Sequence, residues 1–192
     1  MKQILTEYSA KPSEYTADSF ASAMEKGVDA VSFKVSARDE KCNCELRELL
    51  ELAKGARPSL VFRIELEECT EGAVDLTVEL LKEYNALART YFCAHDAEII
   101  RYLKQKHSVR TVGYPDFEMS RFVRGDYRYY DAIGLSMDVV RSEIFDLYSA
   151  KNLPMHMYAD NEEDVALCIE RGADLISTND LAMLMKYLDT GE

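Results

Sequence analysis

A chain of 192 residues with 47% apolar and 30% charged side chains can bury a sizeable core, and the expectation is a single domain over residues 1–192. The formal charge of -12 disfavours nucleic acid and anionic membrane as partners, because both reward Lys and Arg. No apolar run approaches the roughly 20 residues of a membrane span; the opening Met1-Lys2-Gln3-Ile4-Leu5-Thr6-Glu7 lacks the apolar core of a secretory signal, and the chain reads as cytoplasmic.

The five cysteines, Cys42, Cys44, Cys69, Cys93 and Cys168, are odd in number and scattered, which argues against a disulfide framework. Cys42-Asn43-Cys44 is followed by no second pair, and the histidines are His95, His107 and His156, so no structural zinc site is expected. Cys93 and Cys168 read as small buried apolar side chains.

Gln3-Ile4-Leu5 reads as a short first strand and Glu7 to Thr16 as a polar loop. Thr16 or Asp18 caps a helix over Ala17–Lys26, which Gly27 ends. Asp29–Val35 alternates as a strand, with Val31, Phe33 and Val35 on one side and Ala30, Ser32 and Lys34 on the other. Ser36–Asn43 is a polar connection, and Glu45–Lys54 is an amphipathic helix with Leu46, Leu49, Leu50 and Leu52 on its apolar side. Leu60 to Glu67 alternates strictly: Leu60, Phe62, Ile64 and Leu66 face one way, Val61, Arg63, Glu65 and Glu67 the other. Thr70 opens a helix to about Tyr84. Further strands are expected at Arg89–Cys93, Val109–Val112, Ala132–Leu135, Pro154–Tyr158 and Leu175–Ser177, and helices at Asp96–Lys106, Met137–Lys151, Glu162–Arg171 and Asp180–Leu188. Asp116–Tyr130, rich in Tyr and Arg, has the least regular pattern, with room for a short helix.

Strand and helix thus alternate about eight times without a long linker. That order implies parallel strands and a compact (β/α)8 barrel. A flavodoxin-like open sheet, with five strands, would leave three unused. In a barrel the charges of Leu60–Glu67 lie near the strand's C-terminal end, where side chains meet substrate.

Several segments carry a family likeness in the right order. They are Tyr15-Thr16-Ala17-Asp18-Ser19-Phe20-Ala21-Ser22-Ala23 followed by Gly27-Val28-Asp29, then Val31–Val35, then Arg63-Ile64-Glu65-Leu66-Glu67, then Met157-Tyr158-Ala159-Asp160-Asn161-Glu162-Glu163-Asp164, then Gly172-Ala173-Asp174-Leu175-Ile176-Ser177-Thr178-Asn179. These resemble E-N-T-x-x-S-F-x-x-A with G-x-D, I-E-x-D-V, x-I-E-x-K, x-W-T-V-N-x-x-x-D and G-V-D-G-I-x-T-D of the glycerophosphodiester phosphodiesterases, with Glu14 standing for the first Glu. The resemblance covers most of the chain. It implies a TIM barrel that cleaves glycerophosphodiesters with a divalent metal, commonly calcium or magnesium.

Carried residue by residue, the resemblance also implies loss. The family's H-R-G falls near Glu7-Tyr8-Ser9, so its catalytic His and phosphate-binding Arg are missing. Ser32 and Lys34 replace metal-binding Glu and Asp, and the second catalytic His has no counterpart in Ser36–Cys44. The small insertion that usually follows is absent. Glu65 matches a metal ligand, while Glu67 stands where the family has Lys. Lys34 is therefore expected where the metal would sit, paired with Glu65, Glu67 or both, and its replacement by Met should cost about 3–5 kcal/mol if that pair is buried but below about 1 if it is exposed.

Tyr158 falls where the family has a pocket-lining Trp, as a stacking or packing residue, and His156 should point inward with it. His95, after the fourth strand, reads first as a satisfied surface residue, with a place at the mouth or a cap on the next helix as the alternatives. Asn161 and Thr178 read either as hydrogen-bonding partners of a ligand or, sitting at helix starts, as caps. Tyr114–Tyr130, with Arg121, Arg124 and Arg128 among its aromatics, reads as a lid, a homodimer surface, an anion patch or plain packing.

The expected pocket is therefore Glu7, Ser32, Lys34, Arg63, Glu65, Glu67, His156 and Tyr158, without confident catalytic residues, metal or cofactor, and with a small anionic or phosphate-bearing ligand. Three functions follow. The first is a pseudoenzyme that binds a small ligand or regulates a partner. The second is an active phosphodiesterase of lipid and glycerol metabolism using Glu65, Glu67, Glu7 or Glu14 with calcium or magnesium. The third is a different enzyme with Lys34 as nucleophile or base.

Overall fold

The structure, a computed structural model, describes residues 5–9, 17–36, 40–55 and 57–189. Eight parallel strands close into a barrel in chain order: β1 (Leu5–Ser9), β2 (Ala30–Ser36), β3 (Val61–Glu67), β4 (Thr90–Cys93), β5 (Arg110–Gly113), β6 (Ala132–Leu135), β7 (Met155–Tyr158) and β8 (Leu175–Thr178). Helices α1 (Ala17–Glu25), α2 (Glu40–Leu52), α3 (Glu71–Glu83), α4 (Ala97–Tyr102), α5 (Met137–Val140), α6 (Phe145–Ser149), α7 (Glu162–Glu170) and α8 (Leu181–Asp189) lie between and after them. The expected compact (β/α)8 barrel is observed.

The strand pattern divides the residues into two sets. Val31, Phe33 and Val35, with Phe62, Ile64, Leu66, Phe92, Ile133, Met157 and Ile176, point out to the helices and form the buried core. The alternate residues point into the barrel, and register sets Ser32 beside Arg63 and Lys34 beside Glu65. Arg63 in turn lies beside Tyr91 and Glu65 beside Cys93. Helix starts carry their caps: Thr70, Asp96 and Asn161 each accept a hydrogen bond from a first-turn amide. Gly27 and Gly172, at φ 80° and 77°, end α1 and α7 in the left-handed conformation that a Cβ resists.

Three expectations need correction. The first strand spans Leu5–Ser9, so Glu7 is a strand residue and not part of a loop; Gln3 and Ile4 lie outside the described residues, as does Glu14. A lone carboxylate argues for a loop only if its partner is local, and here it is Arg63. The helix expected over Met137–Lys151 is two short ones, α5 and α6. Between them the Ser142 hydroxyl donates to the Val139 carbonyl, competing with the helical ladder. The crossover from β5 to β6 uses two tight 3-10 turns, Asp116–Glu118 and Asp126–Tyr129, in place of an α-helix.

That crossover explains the aromatic stretch Tyr114–Tyr130. With no α-helix over the wall, its rings cover it: Tyr130 and Met119 are buried, and Phe122, Tyr127 and Tyr129 pack against the core. A Cβ on Gly113 would lie 2.0 Å from the Tyr130 ring, so only glycine admits that ring against β5. Arg121 pairs with Asp96 and Glu98. Phe117 is the stretch's one exposed aromatic ring. Cys69, Cys93 and Cys168 carry thiols outside any disulfide, the last two buried as expected; the side chains of Cys42 and Cys44 lie outside the description. Among the described residues no helix is long and apolar enough to cross a membrane.

Candidate functional site

The barrel interior is organised around a buried ion pair. Glu7 is 0% exposed; its Oε1 accepts from Arg63 Nη1 at 3.0 Å and from Ser177 Oγ at 2.9 Å. Arg63 also donates from Nη2 to the Tyr114 hydroxyl and from Nε to the Cys93 sulfur, both at 3.0 Å. Burial pushes the Cys93 thiol up to about 12, so it remains a thiol at neutral pH despite the adjacent guanidinium. Ser32 is buried beside Arg63 in the register.

Nearer the C-terminal mouth lies a second, wetter cluster. Lys34 Nζ sits 2.7 Å from Glu67 Oε1 and 3.9 Å from Glu65 Oε2. The side chains of Lys34, Glu65 and Glu67 are 37%, 17% and 47% exposed. The hydrogen bond to Glu67 raises the Lys34 pKa, which opposes the nucleophile or base role, since an active lysine needs a lowered pKa. The expected pairing is present, and the exposure decides its strength. Lys34→Met should lower unfolding free energy by less than about 1 kcal/mol in urea titration. A loss above about 3 kcal/mol would mean that the pair behaves as buried.

His95, which follows β4, closes the mouth from above. Its ring stacks on Tyr114 at 3.9 Å and 6°. Its Nδ1 lies 3.2 Å from the Glu118 carbonyl oxygen, which can only accept, so Nδ1 carries a proton and Nε2 faces Glu65 Oε1 at 3.9 Å. His95 is thus half-exposed and hydrogen-bonded, as the surface reading has it, and it also faces the mouth, the alternative reading.

Beneath this ring a cleft of about 210 Å³ opens toward the C-terminal side of the barrel, lined by Arg63, His95, Tyr114, Glu118, Ser136, His156, Tyr158 and Ser177. Gly134 makes room for the Tyr114 ring, which a Cβ there would meet at 2.6 Å. The Ser136 hydroxyl donates to Glu118 Oε1 at 3.1 Å. His156 is 6% exposed, packs edge-on against Tyr91, and has no partner for Nδ1. Burial, aided by Arg63, pushes its pKa down to about 3, so its imidazole is neutral. Burial and Asp160 raise Tyr158 to about 12.

Neither a protein-family model nor a curated protein matches this sequence. Solved structures do. A glycerophosphodiester phosphodiesterase from Parabacteroides distasonis ATCC 8503 has a TM-score of 0.75 at 13% identity, over 99% of this chain and 100% of that one. A candidate glycerophosphodiester phosphodiesterase from Galdieria sulphuraria has a TM-score of 0.77 at 16% identity, over 99% and 100%. The chain shares their barrel fold. At these identities the likeness is one of fold alone, and a thiamine phosphate pyrophosphorylase from Pyrococcus furiosus shares it too, at TM-score 0.65 and 12% identity over 97% and 95%.

The phosphodiesterase resemblance carries a divalent metal with it, and the residues present do not fit one. Calcium or magnesium takes about six or more oxygen ligands. Here an ammonium already lies against the carboxylates of β3, and among the described residues no three His, Cys, Asp or Glu side chains form a ligand group.

Of the residues singled out in sequence, Arg63, His156 and Tyr158 line the cleft. Glu7 lies behind its wall, Ser32 beside Arg63, and Lys34, Glu65 and Glu67 form the neighbouring cluster. Asn161 caps α7, accepting from the amide of Asp164; Thr178 does not cap a helix but ends β8 and accepts from the amide of Asp180, and Asp180 caps α8 by accepting from Met183. Sequence reasoning missed Ser136, and reached Tyr114 and Glu118 only as members of the Tyr114–Tyr130 stretch. They stand in or next to the irregular β5–β6 and β6–α5 connections, and a strand-end position after Gly113 and Leu135 was the available signal.

Proposed function

We propose that this chain is a small-ligand-binding barrel without metal-dependent phosphodiesterase activity. One observation carries the reading: the Lys34 ammonium, 2.7 Å from Glu67 and 3.9 Å from Glu65, supplies the positive charge that a divalent ion would otherwise bring. Phosphoryl transfer requires charge neutralisation at phosphorus and a group that moves protons. Arg63, the cation in the cleft wall, is engaged by Glu7, and the His156 imidazole is buried with a depressed pKa. The cleft remains as a place for a ligand. Self-association through Tyr114–Tyr130 is not part of the proposal, because most of those rings are used in covering the barrel wall.

The test is hydrolysis of glycerophosphodiesters by purified protein with calcium, magnesium or manganese, and with chelator, beside Glu65→Gln. The expected result is no turnover above the variant under any metal. Metal-dependent turnover abolished in Glu65→Gln would overturn the reading in favour of an active phosphodiesterase with a rearranged site.

A further inference from the structure

We propose that the cleft under His95 binds a small, uncharged, hydroxyl-bearing molecule and discriminates against phosphate. The inference rests on the ligand-binding reading above and gives that ligand a chemical class.

Size comes first. At about 30 Å³ per liquid water, a cleft of about 210 Å³ holds roughly seven waters. That is below the roughly 300 Å³ where pockets for drug-sized ligands begin. A fragment of about five to ten non-hydrogen atoms fits the space.

Charge comes second. The wall's guanidinium, Arg63, is matched by Glu7 behind it, and Glu118 adds a further carboxylate to the wall. Each nitrogen of Arg63 already has a partner, in Cys93, Glu7 and Tyr114. Glu65 lies just beyond, 3.9 Å from His95. An anion entering here meets no uncompensated cation and at least one carboxylate, which argues against the anionic ligand expected from sequence.

The third point is an unmet hydrogen-bonding demand. His156, more than nine-tenths buried, lines the cleft, while its Nδ1 is closed off behind that surface without a partner. Buried polar atoms are almost always paired, and leaving one unpaired is costly. A hydroxyl both donates and accepts, so it can satisfy a neutral imidazole nitrogen in either tautomer. The hydroxyls of Ser136 and Ser177 spend their protons on Glu118 and Glu7 and keep lone pairs, so towards the cleft they accept, which suits the O–H donors of such a molecule. The stacked rings of His95 and Tyr114 give the carbon face of such a molecule an apolar surface.

The test uses protein labelled with ¹⁵N in its histidines, in chelator, titrated separately with erythritol, xylitol and inorganic phosphate while the ring nitrogens are followed by NMR. The His156 nitrogen signals should shift saturably with millimolar erythritol or xylitol and stay in place with phosphate. Ser136→Leu, which fills the half-buried mouth, should weaken the polyol response at least tenfold. Saturation by phosphate, silence with both polyols, or an undiminished response in Ser136→Leu would each overturn the inference. No phosphodiester is present, so hydrolysis in the separate assay would sink the non-catalytic reading without altering this result.

Discussion

Arg63→Met is expected to destabilise the barrel by about 3–5 kcal/mol, far more than Lys34→Met. The two lysine and arginine pairs look alike in sequence and differ in surroundings. Lys34 and Glu67 are 37% and 47% exposed, so water already solvates each charge. Glu7 is 0% exposed and Arg63 is 13% exposed. Removing the guanidinium leaves a carboxylate with Ser177 as its remaining donor, and also takes a donor from Tyr114 and Cys93. The same logic predicts that Glu7→Gln with Arg63→Met recovers most of the loss, because a neutral amide does not need the cation. Urea titration of both single variants and the double variant measures the coupling. Additive losses, or an Arg63→Met loss under about 1 kcal/mol, would show that the buried pair does not hold the interior together.

The contrast also explains what the sequence could tell. The outward residues of β2 and β3 were legible because alternation is local: Val31, Phe33 and Val35 repeat every second residue, and so do Phe62, Ile64 and Leu66. The Lys34 pair was legible because adjacent parallel strands at matched ends bring Lys34 beside Glu65. The Glu7–Arg63 pair was not, because 56 positions separate the two residues and they meet across the barrel interior. A charge satisfied at that distance reads as a loop, which is why β1 was placed too early. At the break between α5 and α6 the Ser142 hydroxyl and amide both donate to the Val139 carbonyl, a competition that helical periodicity does not register. The cleft depends on Gly134 and Tyr114 together, where the absence of a Cβ on one strand admits a ring from the next.

His156 is expected to give the stability of this protein a pH dependence of its own. Burial is the main cause of its low pKa, with Arg63 adding to it and Asp174 opposing. The pKa falls from 6.5 to about 3 on folding. Above pH 6.5 the imidazole is neutral in both states and folding loses nothing. As the pH falls below 6.5 the unfolded chain takes up a proton that the folded chain refuses, so unfolding becomes easier. The slope approaches about 1.4 kcal/mol per pH unit and levels off near pH 3, for a total of about 5 kcal/mol. Carboxylates titrate over part of the same range, so the comparison that isolates His156 is its Leu variant. Urea midpoints at intervals from pH 7 to pH 4 should show wild type losing stability relative to His156→Leu by about 2–3 kcal/mol. Parallel curves would mean that the ring takes a proton in place, through solvent reaching Nδ1. The neutral imidazole on which the cleft depends would then be lost in mild acid.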